Sequence, residues 1–177
     1  MGNIYDTIFA VYPKYNGAIG YKLRIVLGWV KRNKFKEVLD VGCGRGHYLK
    51  LFSENGIKTT GLEPSKYISD NLKEFKIIND DILGFSEYSR KWEALICMDV
   101  LEHIEPNKIE ENIKALSSLS KHAILGIANH SDIWHGTELH LIRQGPPWWI
   151  DKLSKYFVEI NSLFKSDRFF IFEVQTK

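Results

Sequence analysis

The sequence predicts an α/β protein built on an open, mainly parallel sheet with an antiparallel edge. Three observations carry that prediction. Short apolar runs alternate with amphipathic stretches from residue 37 to residue 128, the pattern of strands covered on both faces and joined by crossover helices. Two further apolar runs, 158–164 and 168–176, close the chain with only a short connection, which suits an antiparallel pair. Three glycines, Gly42, Gly44 and Gly46, separate the first run from a helical pattern in "EVLDVGCGRGHYLKLF" (37–52), a place where a ligand can approach the backbone closely.

The elements follow in order. Residues 4–12 and 18–33 are expected as helices, since Leu23, Val26, Leu27 and Val30 recur at helical spacing with cations between them. "EVLDV" (37–41) is the first strand. Residues 46–55 form a helix with Tyr48, Leu49, Leu51 and Phe52 on its apolar face, ending at Gly56. "KTTGLE" (58–63) is the second strand, and 65–75 a helix capped by Ser65, whose hydroxyl can accept from a free N–H of the first turn. "KIIND" (76–80) is the third strand and "WEALICM" (92–98) the fourth. A helix over 106–120 opens on a proline, and "HAILGIA" (122–128) is the fifth strand. Asn129 to Gly145 is polar, aromatic and rich in histidine, without a regular pattern; a helix over 146–157 and the terminal strand pair follow.

A chain of 177 residues, 44% hydrophobic and 26% charged, suits one soluble domain with a proper core. Its expected parts are a helical N-terminal lid (1–35), a ligand-binding core (36–128), an insertion and helix over a second site (129–157) and the terminal strands (158–177). No apolar run approaches the ~20 residues of a membrane span. The N-terminus lacks the basic start and apolar core of an export signal, and residue 6 of "MGNIYD" is not the Ser or Thr that myristoylation requires. Two cysteines, Cys43 and Cys97, make no disulfide framework, so reduced thiols and a cytoplasmic location are expected. The net charge of +2 hides an asymmetry: residues 1–36 hold seven Lys/Arg against Asp6, a net of +6, which leaves −4 for the remainder. The simplest reading of that basic segment is a solvated helix face, although it could also attract an anionic partner.

The strand ends carry the chemistry. Asp40 precedes the glycine turn by two positions, Glu63 ends the second strand, "NDDI" (79–82) the third and "CMDVLEHI" (97–104) the fourth. In open parallel sheets ligands bind outside the carboxyl ends of the strands, and an acid about twenty residues beyond the glycine turn can hold ribose hydroxyls. The spacing G-C-G-R-G differs from the G-x-G-x-x-G of dinucleotide dehydrogenases. Together, "VLDVGCGRG", "GLEPS" and "DVLEHI" resemble the class I S-adenosylmethionine-dependent methyltransferases, from about Lys36 to Ala128 and more loosely through the final strands.

That resemblance implies a Rossmann-like sheet of order 3-2-1-4-5-7-6 with the seventh strand antiparallel, and S-adenosyl-L-methionine as cofactor. By the same resemblance Asp40 and the loop Gly42, Cys43, Gly44 and Gly46 hold the methionine end of the cofactor. Glu63 holds the ribose with Pro64 beside it. Asp81, or else Asp80, accepts from the adenine amine with Ile82 against the ring, and Met98 and Asp99 lie near the sulfonium.

For the methyl acceptor the sequence offers histidines, which serve as bases near neutral pH. His130, His135 and His140 recur at five-residue intervals in the irregular stretch, and His103 stands in "LEHI". His135 and His140 rank first as catalytic bases, with Asp132 and Glu138 as orienting carboxylates and Trp134, Trp148 and Trp149 as pocket walls. No metal site is expected, since neither C-x-x-C nor H-E-x-x-H is present. "GPPWW" lacks the acid or amide that precedes Pro-Pro in DNA amino-methyltransferases. The expectation is methyl transfer to a hydroxyl or other heteroatom of a small molecule or saccharide. Nucleic-acid methylation is the alternative, as is a cofactor-binding or cofactor-degrading protein without methyl transfer. The methylated atom and the oligomeric state are not legible.

Overall fold

Nine strands and seven α-helices make up the described parts of the computed structural model, which are residues 4–15, 19–86 and 91–176. Two helices come first, α1 (Ile4–Val11) and α2 (Gly20–Arg32); residue 18, the expected start of the second, lies outside the described residues. The parallel half is built from β1 (Glu37–Val41), α3 (His47–Glu54), β2 (Lys58–Leu62), α4 (Lys66–Asn71), β3 (Ile77–Ile78), α5 (Ile82–Ser86), β4 (Ala94–Met98), α6 (Ile109–Leu119) and β5 (His122–Ala128). A short ribbon of β6 (Ile133–Trp134) and β7 (Thr137–Glu138) follows, then α7 (Pro146–Ser154), β8 (Phe157–Lys165) and β9 (Phe169–Thr176). The main sheet has seven strands in the order β3-β2-β1-β4-β5-β9-β8, with β9 antiparallel to both neighbours. Numbering only the strands of that sheet, this is the expected 3-2-1-4-5-7-6.

Alternation along the central strands explains why both faces are covered. On β4, Leu95 and Cys97 face the core beneath α6 and α7, whereas Ala94, Ile96 and Met98 face the one beneath α2 and α3. Strand β5 repeats this with Leu125 and Ile127 against Ile124 and Ala128. Every residue of β4 is buried, as a strand between two helical layers requires.

Three departures from the expected elements have local causes. Helix α4 stops at Asn71 rather than 75, and α5 is an additional single turn capped by Asp81, whose Oδ1 accepts from the Gly84 N–H at 2.8 Å. A 3-10 turn at Leu101–His103 follows β4. The stretch 129–145 contains the β6–β7 hairpin, turned by His135 and Gly136 at φ 47° and 81°. Two successive residues in the left-handed region make the tight turn that matches strand twist.

Candidate active site

A cavity of about 340 Å³ opens at the carboxyl ends of β1, β2, β4 and β5. The turn after β1 shapes one end of it. Gly42 has φ +69°, and a Cβ there would stand 2.4 Å from Val100 Cγ2, so only glycine lets the turn pass beneath the loop after β4. The Gly42 N–H donates to the Leu62 carbonyl at 2.7 Å, which ties this turn to the end of β2. Cys43 Sγ lies against Gly61, where a Cβ would approach it to 2.6 Å; this thiol is a packing group, and burial pushes its pKa up.

Two carboxylates stand at this end. Asp40 is 1% exposed, and its Oδ2 has no hydrogen-bond partner among the described residues. Burial, and then the nearby Glu63, raise its pKa well above the usual carboxylate range. Glu63 is better held: its Oε2 accepts from the Gly44 N–H at 3.0 Å and its Oε1 from the Ser65 N–H at 2.9 Å. Burial raises its pKa, opposed by those bonds. Each carboxylate oxygen keeps a further lone pair for a ligand.

At the other end the loop after β4 meets the loop after β5. Asp99, at φ +57°, receives both of its ammonium contacts from Lys22 of α2, at 2.7 and 2.8 Å. Glu102 is fully buried, its Oε1 accepting from the Ala128 N–H at 2.8 Å. Burial, then the Asp99 charge, lift its carboxyl to about 8. His103, His140 and His130 form a row, with ring centres 4.6 Å apart for the first pair and 4.9 Å for the second. Burial, then the His140 charge, lower His103 to about 4, so its ring is neutral near pH 7.

The N-terminal segment roofs the cavity, with Tyr5, Phe9 and Tyr15 along its lining. Arg45, at the start of the α3 region, staples it down. Its Nη2 donates to the carbonyls of Phe9 at 2.9 Å and Tyr12 at 2.6 Å, and its Nε to that of Tyr15 at 3.0 Å. Asp6 caps α4 through the Ser65 hydroxyl at 2.6 Å and the Tyr67 N–H at 2.9 Å. Hydrogen bonds to a charged group contribute ~1.5–3 kcal/mol each at best. Arg45→Ala is therefore expected to speed hydrogen exchange of residues 4–15 by about tenfold or more, while the sheet strands exchange as before. Mass-spectrometric exchange would measure this, and unchanged protection of 4–15 would show the staple to be idle.

A family model described as a methyltransferase domain matches residues 23–177. The chain belongs to this methyltransferase family. It is 32% identical over 92 residues to a ubiquinone biosynthesis O-methyltransferase of Coxiella burnetii, a match covering 47% of this chain and 39% of that enzyme. It is also 32% identical over 79 residues to a tRNA U34 carboxymethyltransferase of Nautilia profundicola, covering 38% and 26% respectively. The chain thus spans less than half the length of either curated relative. Its fold is similar to a SAM-dependent methyltransferase from Archaeoglobus fulgidus, with TM-score 0.67 at 15% identity over 95% of this chain and 99% of that one.

Within this methyltransferase domain the residues singled out from the sequence fall into two groups. Asp40, Gly42, Cys43, Gly44, Glu63, Pro64, Met98, Asp99, His103, His130 and His140 line one cavity. Gly46, Asp81, Ile82 and His135 do not. Gly46, at φ +72°, starts α3; Asp81 caps α5, with Ile82 buried behind it. His135 is exposed at the hairpin turn with its Nε2 3.0 Å from the Tyr12 hydroxyl. None of the three expected pocket walls lines this cavity. Trp149, 0% exposed, is a core residue on the buried face of α7, and Trp148 packs beside it, because the apolar face of that helix points to α6 and β8. Trp134 borders a shallow groove with Tyr12 and Ile133 instead. Glu138 organises the loop rather than a ring, accepting from the backbone of Asp132 at 2.8 Å and His140 at 3.0 Å. Lys22, Glu102 and Arg45 were not anticipated. Glu102 carried a signal, an acid beside a histidine at the end of a wholly apolar strand, whereas Lys22 carried none.

Proposed function

We propose that the chain is an S-adenosylmethionine-dependent methyltransferase acting on a hydroxyl or other heteroatom of a small molecule or saccharide. The observation that carries this reading is the buried carboxylate oxygen of Asp40, without a partner among the described residues, beside Glu63 at the glycine turn. Four carboxylates line the cavity (Asp40, Glu63, Asp99 and Asp132) against one ammonium, Lys22, which Asp99 already holds. Such a site lacks a positive charge, and a ligand with an ammonium, a sulfonium and ribose hydroxyls fits it. When bound, the cofactor supplies an electrophilic methyl group, whose bond to sulfur breaks with its electron pair left on sulfur as the acceptor atom takes the carbon.

The chain's own residues hold and orient. Asp40 accepts from the ammonium while the backbone of Gly42 to Gly46 accommodates the methionine end. Glu63 accepts from the ribose hydroxyls, with Pro64 alongside. Asp81, or else Asp80, would accept from the adenine amine with Ile82 against the ring, and Met98 and Asp99 would serve the sulfonium region. The neutral ring of His103 offers a lone pair where the acceptor would lose its proton, with His140 beside it. Because α1 and the segment after it roof the cavity, a compact acceptor fits better than a folded polymer. Three of the seven cations in residues 1–36 have other work: Lys22 holds Asp99, Arg32 pairs with Glu173 at 3.2 Å, and Lys31 donates to Asn55 at 2.7 Å. Two free, buried cysteines accord with a cytoplasmic enzyme.

Glu63→Ala is the direct test. It removes an acceptor for the ribose hydroxyls, and affinity for S-adenosylmethionine measured by calorimetry is expected to fall about tenfold or more. Unchanged affinity would overturn the assignment, and absence of binding by the unaltered chain would overturn the function.

A further inference from the structure

Glu102, His103 and His140 each bring a potential metal-ligating atom to within 4.8 Å of the others, where the loops after β4 and β5 meet. The surrounding hydrogen bonds fix what each group offers. Nδ1 of His140 lies 2.6 Å from the His130 carbonyl oxygen, and Nδ1 of His103 lies 2.9 Å from that of Leu139. A carbonyl only accepts, so both Nδ1 atoms carry a proton, which leaves Nε2 as the atom each ring can offer a ligand; Asp132 Oδ2 stands 3.9 Å from that of His140. The Tyr5 hydroxyl, 2.8 Å from His103 Nδ1, shares that N–H as a second acceptor. Glu102 Oε1 is taken by the Ala128 N–H, but Oε2 has no partner among the described residues in a side chain that is 0% exposed.

The two rings turn Nε2 toward the Glu102 carboxyl, the three ligand atoms lying within 4.8 Å of one another. A carboxylate at this depth is unfavourable unless a proton or a cation joins it. Lys22 is the ammonium of this cavity, and both its short carboxylate contacts go to Asp99. The rings are held as metal-bound histidines usually are, each donating its other N–H to a backbone carbonyl.

We propose that Glu102 Oε2 and the Nε2 atoms of His103 and His140 bind a divalent first-row transition ion, open on the cavity side to the methyl acceptor. Two imidazole nitrogens and one carboxylate suit zinc, manganese, iron or cobalt, whereas magnesium and calcium prefer oxygen ligands throughout. The inference rests on the methyltransferase reading and narrows it to a hydroxyl acceptor. A hydroxyl that enters an open position on the ion becomes more acidic and releases its proton to water; its oxygen then takes the methyl carbon, and sulfur keeps the electron pair of the broken bond. The sequence concealed the site because its ligands come from two loops and match no spaced motif.

Calorimetric titration of Zn²⁺ and Mn²⁺ into the chelator-stripped full chain tests this, with the visible spectrum of added Co²⁺ as a second readout. One ion per chain is expected to bind with micromolar or tighter affinity. Glu102→Gln and His140→Asn should each weaken it at least tenfold, whereas His135→Ala, at the exposed hairpin turn, should not. If Glu102→Gln fails to fold, His140→Asn and the cobalt spectrum decide alone. No saturable binding, or equal affinity in His140→Asn, overturns the proposal. S-adenosylmethionine titrated into the same stripped sample separates the two readings. Cofactor binding in a chain that takes up no ion removes the metal site alone, and ion binding without cofactor binding removes the methyltransferase reading alone.

Discussion

Replacing Asp40 with Asn is expected to weaken S-adenosylmethionine binding about ten- to a hundredfold and, in the ligand-free protein, to raise stability above pH 7. The first effect follows from loss of a charged acceptor, worth ~1.5–3 kcal/mol per hydrogen bond. The second follows from burial. Asp40 is 1% exposed with one oxygen lacking a partner among the described residues, and burial, then Glu63, raise its folded pKa well above the ordinary value. As pH rises, the unfolded chain gives up this proton first, so the folded state binds more protons and loses stability. The contribution is fully present below the ordinary aspartate range and is gone once pH has passed the folded value. Asn has the same shape and no charge to bury. Its melting temperature should decline less between pH 5 and pH 8 than that of the unaltered chain, with ~2–4 °C gained for each kcal/mol relieved. Scanning calorimetry with and without cofactor measures both effects, since a bound ligand adds stability by mass action that the variant should lack. A variant that is less stable at pH 8 and still binds cofactor would make Asp40 a structural carboxylate.

The contrast between Asp40 and Lys22 shows what a sequence can disclose. The placement of Asp40 was legible because its signal is local: a short apolar strand, an acid, and glycines in the next turn put it at a strand end without reference to anything distant. The same holds for Glu63 and for the alternation of Leu95 and Ile96 on β4, which fixes two covered faces. Lys22 sits among other cations of a helix with ordinary amphipathic spacing, and its partner Asp99 is remote in sequence. Only the packing of α2 over the end of β4 distinguishes it from Arg24 or Lys31. The position of His135 was hidden in the same way. Equal intervals made His130, His135 and His140 look alike, yet the turn "HG" puts His135 outside while its neighbours face in. Trp148 and Trp149 attracted attention as pocket walls, although an amphipathic helix opening on two prolines accounts for them as core.

Lys22→Met is the substitution expected to cost the fold most at the site. The Lys22 ammonium is 2.7 Å from Asp99 Oδ2 and 2.8 Å from Oδ1, and it stands 3.4 Å above the centre of the Phe169 ring. Met fills the space of the aliphatic stem but leaves the Asp99 carboxylate without its cation in a cavity that holds three other acids. Breaking one side of a buried pair costs ~3–5 kcal/mol; Asp99 is 26% exposed, and water recovers part of this, so about 2–3 kcal/mol is expected here. That corresponds to a fall of roughly 4–12 °C in melting temperature. Adding Asp99→Asn removes the stranded charge, and the double variant should regain a large part of the loss. Melting curves for the four proteins of the cycle give the coupling directly. If the two single losses simply add, Lys22 is held by its hydrophobic stem and the Phe169 ring, and the ion pair does not anchor α2 over the site.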